Sequence, residues 1–153
     1  MQDTLPIHFA PLQGYTEAIY RNAHDAFFGG VDTYYTPFVR LEKGNFRRRD
    51  VRGIEPENNG VTHLIPQLIA SSAEKAEVIL SLFIEKGYQE VDINLGCPFP
   101  LLAKRHNGSG ILPYPEEVKA LLSIVTRYPQ ISFSVKMRLG WEQPDECLAL
   151  API

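Results

Sequence analysis

The stretch DINLGCPFP (92–100) brings a carboxylate at Asp92, an amide at Asn94 and a thiol at Cys97 into one short run. A thiol in such a place donates a proton when neutral and attacks as a nucleophile when ionised. Strand alternation puts Asp92 and Asn94 on one face, opposite Val91, Ile93 and Leu95. A second run, ISFSVKMRLG (131–140), repeats the pattern. There Ser132, Ser134, Lys136 and Arg138 share a face, opposite Phe133, Val135, Met137 and Leu139. For an isolated Cys-Pro the simpler account is a structural thiol in a turn. A polar row ending at Lys136 and Arg138 favours a reactive site instead.

These runs need elements to hold them, and the sequence punctuation supplies an alternation of strand and helix. IHFAPL (7–12) is a short apolar run, and Thr16 is placed to cap a helix over 16–28 that stops at Gly29-Gly30. VDTYYTPFV (31–39) and HLIPQLIA (63–70) read as strands, with a polar, basic loop over 40–59 between them. SSAEKAEVILSLFIEKG (71–87) reads as a helix, with Ser71 and Glu74 at capping-box spacing and Gly87 at its stop. EVDINLG (90–96) is the fourth strand, Pro115 opens another helix, 131–140 is the fifth strand, and 142–153 begins a helix.

Strands that alternate with helices predict a parallel sheet in an α/β fold. A doubly wound nucleotide fold carries a glycine-rich turn after its first strand, whereas PLQGYT (11–16) has a single glycine. Two-faced strands suit a (β/α)8 TIM barrel better. The apolar face packs on outer helices, and the polar face points inward and builds a site at the C-terminal rim, which is where Cys97 falls.

In this order, APLQGYTEAIYR, PQLIAS, DINLGCP, NGSGILPYPEEV and VKMRLGW resemble the motifs of the tRNA-dihydrouridine synthases. The resemblance covers almost the whole chain, and its specificity lies in the order and spacing of the motifs together. It implies an FMN-binding TIM barrel, here about the first five βα units, followed in the family by a helical tRNA-binding domain. It implies reduction of the C5=C6 bond of particular uridines in tRNA, with NADPH reducing the flavin. By the same resemblance Pro11, Leu12 and Gln13 lie against the flavin ring and Gln67 hydrogen-bonds it. Asn94 lies near flavin and substrate base, Lys136 stands at the flavin's pyrimidine edge, and Arg138 lies near bound RNA. Cys97 matches the catalytic cysteine. In the implied reaction reduced flavin delivers hydride to C6, and Cys97, as the neutral thiol, gives a proton to C5.

Arg47, Arg48 and Arg49 fall on the same rim and are either a phosphate-contact patch or a solvated charged loop. Lys104 and Arg105, between Cys97 and the Gly108-Ser109-Gly110 turn, are further candidates for tRNA contact, and that turn reads as the hinge of the catalytic loop. His8, His24 and His63 read as packing or surface residues. The net charge of −3 exerts no global pull on nucleic acid, so RNA contact needs such local patches. No apolar run is long enough to span a bilayer, and no N-terminal secretory signal is visible. The two cysteines, Cys97 and Cys147, are far apart and make no metal-ligand spacing; free thiols in a cytoplasmic protein are the simplest reading.

A complete barrel takes about 250 residues, so the 153 residues here are expected to be the N-terminal portion of one barrel domain. The later strands, with the family's flavin-phosphate turns, and the helical domain are expected to be lacking. The chain by itself is then expected to be inactive, to hold FMN weakly, and to self-associate through open strand edges. Two other readings stand beside this one. One is an FMN barrel dehydrogenase acting on a free pyrimidine, similar to dihydroorotate dehydrogenases. The other is a non-catalytic barrel remnant that binds RNA or a partner chain.

Overall fold

The computed structural model describes residues 5–153. Its short strands are β1 His8–Phe9, β2 Thr33–Tyr35, β3 Leu41–Glu42, β4 Asn45–Phe46, β5 Leu64–Ile65, β6 Gln67–Leu68, β7 Glu90–Leu95 and β8 Ser132–Met137. β1, β2 and β5 pair in parallel, and so do β6, β7 and β8. β5 and β6 are one predicted strand interrupted at Pro66, a residue without the N–H a ladder needs. A parallel bridge between Val39 and Leu68 carries the pairing past the break. The parallel strands therefore neighbour one another in chain order. A doubly wound sheet reverses its strand order at a switch point; a barrel does not.

The helices are α1 Ala18–Phe27, α2 Arg48–Ile54, α3 Ala73–Glu85, α4 Pro100–Ala103, α5 Pro115–Arg127 and α6 Glu146–Leu150. Val91, Ile93 and Leu95 of β7 are fully buried in one cluster with Ile79, Leu80 and Phe83 of α3 and Val118, Leu121 and Ile124 of α5. Each such side chain contributes about 1.5–3 kcal/mol by leaving water. This cluster fixes which face of β7 is outward, and so turns Asp92 and Asn94 to the other side.

Several local expectations change. Thr16 does not cap α1. Its Oγ1 accepts from the Leu12 N–H at 2.8 Å and closes the turn after β1, while Glu17 takes the N-cap position. The cap of α3 is Ser72, whose Oγ accepts from the Lys75 N–H at 3.5 Å; Ser71 instead accepts from Lys75 Nζ at 2.8 Å. The polar stretch read as a loop over 40–59 holds the antiparallel β3–β4 hairpin, α2 and a 3-10 turn at Pro56–Asn58. Its hairpin turns at Lys43-Gly44, both with positive φ, and its few apolar residues, such as Leu41, Phe46 and Ile54, carry its packing.

Candidate active site

Register aligns the polar residues in two layers. Gln67 of β6 stands opposite Asp92 of β7, which stands opposite Ser134 of β8; one layer on, Asn94 stands opposite Lys136. Gln67, Asp92 and Asn94 are all buried. Burying so many polar groups is tolerable only when they satisfy one another, and here they do. Asp92 Oδ2 accepts from Gln67 Nε2 at 2.6 Å, and Asp92 Oδ1 from Ser134 Oγ at 2.7 Å. Gln67 Oε1 accepts from Asn94 Nδ2 at 2.8 Å. Asn94 Oδ1 in turn accepts from the backbone N–H of Gly96 at 3.1 Å and of Cys97 at 2.9 Å. Burial pushes the Asp92 carboxyl above its ordinary range, against the lowering effect of the Gln67 and Ser134 hydrogen bonds and of the Lys136 charge.

The Cys97 backbone is held from its other side too. Its carbonyl accepts from the Ser109 N–H at 3.0 Å and from Ser109 Oγ at 2.9 Å. Ser109 lies in a buried 3-10 turn, Gly108–Ile111. A Cβ on Gly108, whose φ is +61°, would stand 2.6 Å from the Cys97 carbonyl oxygen, and a Cβ on Gly110 would collide with Ala103 of α4. The Gly108-Ser109-Gly110 turn packs closely as a seat under Cys97. Arg138 closes the same turn, donating from Nε to the Gly96 carbonyl at 2.8 Å.

Gln13 sits in the turn after β1 with both amide atoms, Oε1 and Nε2, buried and without a partner among the described residues. Beside it Pro11 is half-buried and Leu12 is exposed. The turn is tied down by the fully buried Arg21 of α1. That guanidinium donates to the Thr16 carbonyl at 2.6 Å, the Gly53 carbonyl at 2.8 Å and Asn59 Oδ1 at 2.5 Å. Burial draws the Arg21 pKa down to about 10, against the raising effects of Glu17 and Tyr88. Sequence reasoning missed Arg21, because an arginine in a helix reads as solvated, and it missed Ser109, because a serine between glycines reads as a turn.

The three rim arginines separate. Arg47 lies 3.6 Å from the Asp50 carboxylate and Arg49 lies 3.6 Å from Glu17, while Arg48 is exposed. Lys104 and Arg105 are exposed just beyond α4. Arg105 also lines a cleft of about 520 Å³ with Arg40, Lys43 and Lys75, over apolar side chains that include Phe99 and Leu102. The histidines behave as packing or surface groups: His24 Nδ1 lies 2.9 Å from the Tyr34 hydroxyl, and His63 Nε2 lies 2.7 Å from Glu90. Cys147 sits in α6, its Sγ 3.5 Å from the Pro144 carbonyl. Among the described residues no group of His, Cys, Asp and Glu is arranged to hold a metal ion.

A parallel α/β segment with strands in chain order, a polar face of carboxylate, amide and ammonium groups, and a cysteine at the strand end is what one side of a parallel barrel presents at its C-terminal rim. The chain belongs to the dihydrouridine synthase (Dus) family, whose model matches residues 8–153. That family folds as a TIM barrel, of which this α/β chain covers part. The chain is 28% identical to the tRNA-dihydrouridine(16) synthase of Haemophilus ducreyi, over 95% of this chain and 47% of that one. It is 24% identical to tRNA-dihydrouridine synthase B of Pasteurella multocida, over 96% of this chain and 44% of that one. With tRNA-dihydrouridine synthase B of Klebsiella pneumoniae it shares 31% identity, over 57% of this chain and 27% of that one. The chain thus spans less than half the length of these relatives.

Proposed function

We propose that this chain supplies the cysteine-bearing half of a flavin-dependent tRNA-dihydrouridine synthase barrel, its parallel strands being the first five of that barrel. The observation that carries the reading is the buried hydrogen-bonded row from Gln67 through Asn94 to the Cys97 backbone, with Lys136 in register beside Asn94. FMN fits the residues present. Gln13 offers a buried donor and acceptor that no group among the described residues uses, and a heterocycle's amide edge would satisfy both. Gln67 keeps one N–H and one lone pair after its two protein bonds. Pro11, Leu12, Gln13, Gln67, Asn94 and Lys136 would hold the flavin.

When bound there and reduced by NADPH, FMN would supply the hydride for uracil C6. The protein's part is orientation and charge. Lys136 places a cation where negative charge is held at the pyrimidine edge. Asn94 and Gln67 position base and ring without changing charge. Cys97 gives its thiol proton to C5 of the uridine, a general-acid step. Arg138, Lys104, Arg105 and Arg48 meet the tRNA backbone; Arg47 and Arg49 contribute there only by leaving their carboxylates.

The test has two parts. Protein mixed with FMN and passed through gel filtration is expected to keep a flavin absorbance spectrum once the barrel is complete. That holoenzyme with NADPH is expected to form dihydrouridine in tRNA, read by nucleoside mass spectrometry, and Cys97→Ala to slow it by about 10²–10⁴-fold. Turnover of a free pyrimidine in preference to tRNA, or an unimpaired Cys97→Ala enzyme, would overturn the reading.

A further inference from the structure

We propose that Asp92 is a positioning residue for Cys97, acting through the side-chain amides of Gln67 and Asn94. The direction of the row follows from what each group can donate or accept. At one end of the row stand two backbone N–H groups, of Gly96 and Cys97, which only donate. At the other end stands a carboxylate, which when ionised only accepts. Between them lie two amides, each with a donor end and an acceptor end. Asp92 therefore requires the Nε2 end of Gln67, which leaves Gln67 Oε1 facing Asn94. That oxygen requires the Nδ2 end of Asn94, and so Asn94 Oδ1 faces the loop. Every link runs in one direction, from the Cys97 N–H to Asp92. Turning either amide over would set N–H against N–H or oxygen against oxygen, at a buried site where neither is relieved by water.

Asp92 is itself held on two sides, by Gln67 and by the Ser134 hydroxyl. Gln67 is fixed along the strand as well, its backbone N–H donating to the buried Thr36 Oγ1 at 3.0 Å. The carboxylate thus stands at the rigid end of the row and the cysteine turn at the adjustable end. Removing the acceptor at 92 frees Gln67 to rotate and loosens Asn94, and the Gly96-Cys97 turn loses the partner that holds it against β7. Asn94 and Gln67 are groups expected to touch flavin or base; Asp92 reaches the reaction only through them.

The inference builds on the proposed role of Cys97, but its test reads the loop directly and needs no uridine reduction. Asp92→Leu keeps the side chain's branched shape, with somewhat greater bulk, and deletes the acceptor. Asp92→Asn restores an acceptor for Gln67 and gives Ser134 a donor to receive. In the folded protein two quantities are followed: the alkylation rate of Cys97, separated from Cys147 by peptide mass spectrometry, and amide hydrogen exchange at Gly96 and Cys97. The loss of one such hydrogen bond is expected to raise both by about fivefold in Asp92→Leu. Asp92→Asn is expected to return them to within about twofold of the original, an ambivalent amide being able to keep the row's direction. In the double variant Asp92→Leu/Gln67→Leu the effects are expected not to add, because the first change acts through the second residue. Unchanged rates in folded Asp92→Leu, failure of Asn to restore them, or additivity with Gln67→Leu would each overturn the proposal. If Asp92→Leu does not fold, Asp92→Ala is read by the same criteria. A protein with its barrel complete that passes these tests, keeps FMN and still leaves tRNA unreduced with NADPH would refute the enzymatic reading while leaving the positioning role intact.

Discussion

Replacing Gly108 by alanine tests how closely the seat beneath Cys97 is packed. Two costs are expected. The backbone φ of +61° lies in the left-handed region, which an L side chain occupies at a cost of about 1–2 kcal/mol. The added Cβ would also stand 2.6 Å from the Cys97 carbonyl oxygen and 2.9 Å from the Cys97 Cβ. That carbonyl is backbone held by two Ser109 donors, so relief requires breaking at least one of them, about 1 kcal/mol, together with local overpacking of about 1 kcal/mol. The total is about 3–4 kcal/mol, a large share of a small domain's stability. Gly87→Ala isolates the first cost, since Gly87 has φ of +86° and open space around its Cβ position. Gly110→Ala isolates the second, because Gly110 has no positive φ yet meets the Ala103 backbone. Urea denaturation of the three variants, with a shared m-value, gives the comparison. Gly108→Ala is expected to lose about 2 kcal/mol more than Gly87→Ala. Equal losses in those two variants would refute the claim that the Gly108 turn is packed against Cys97.

Ser109→Ala keeps the backbone donor to Cys97 and deletes the hydroxyl one, so it is expected to cost about 1 kcal/mol in urea denaturation. Arg21→Met leaves the Thr16 and Gly53 carbonyls and Asn59 without their buried donor, and is expected to lower stability by about 3 kcal/mol, measured the same way. Asp92 also predicts a pH signature. Its folded pKa is raised, so the folded state binds the proton more readily, and protonation stabilises it as pH falls from the raised value toward the ordinary 3.8. The stability of Asp92→Asn relative to the parent protein is therefore expected to decrease on acidification through that window; a gap independent of pH would contradict the burial effect.

Much of this arrangement is legible in the residues. Alternation in 90–96 and 131–140 put Asp92, Asn94 and Lys136 on one face, and the apolar partners of Asp92 and Asn94 are those that pack on α3 and α5. Pro115 and Gly87 mark helix ends as their backbone chemistry requires. What stayed hidden depends on partners distant in sequence. The hairpin and α2 within 40–59 are held by scattered apolar residues that show no clear period. Ser72 rather than Ser71 caps α3 because the chain enters the helix one residue later, and sequence spacing cannot separate neighbouring serines. The burial of Arg21 and the seat formed by Ser109 arise from contacts with Gly53, Asn59 and Cys97, which no local pattern announces.

Chain-order pairing of the parallel strands bears on how the protein is made. Each later parallel strand, as it leaves the ribosome, finds its hydrogen-bonding neighbour already synthesised upstream, across a connection that carries at least one helix. No early strand waits for a distant partner, so loop-closure entropy is met in small successive instalments. Growth can proceed from β1 toward β8 in step with translation, at about 5–20 residues per second. On this route the cysteine turn is seated late: it can be fixed only after Gly108–Ile111 has emerged to close beneath it, which leaves Cys97 unframed until its supporting layers exist.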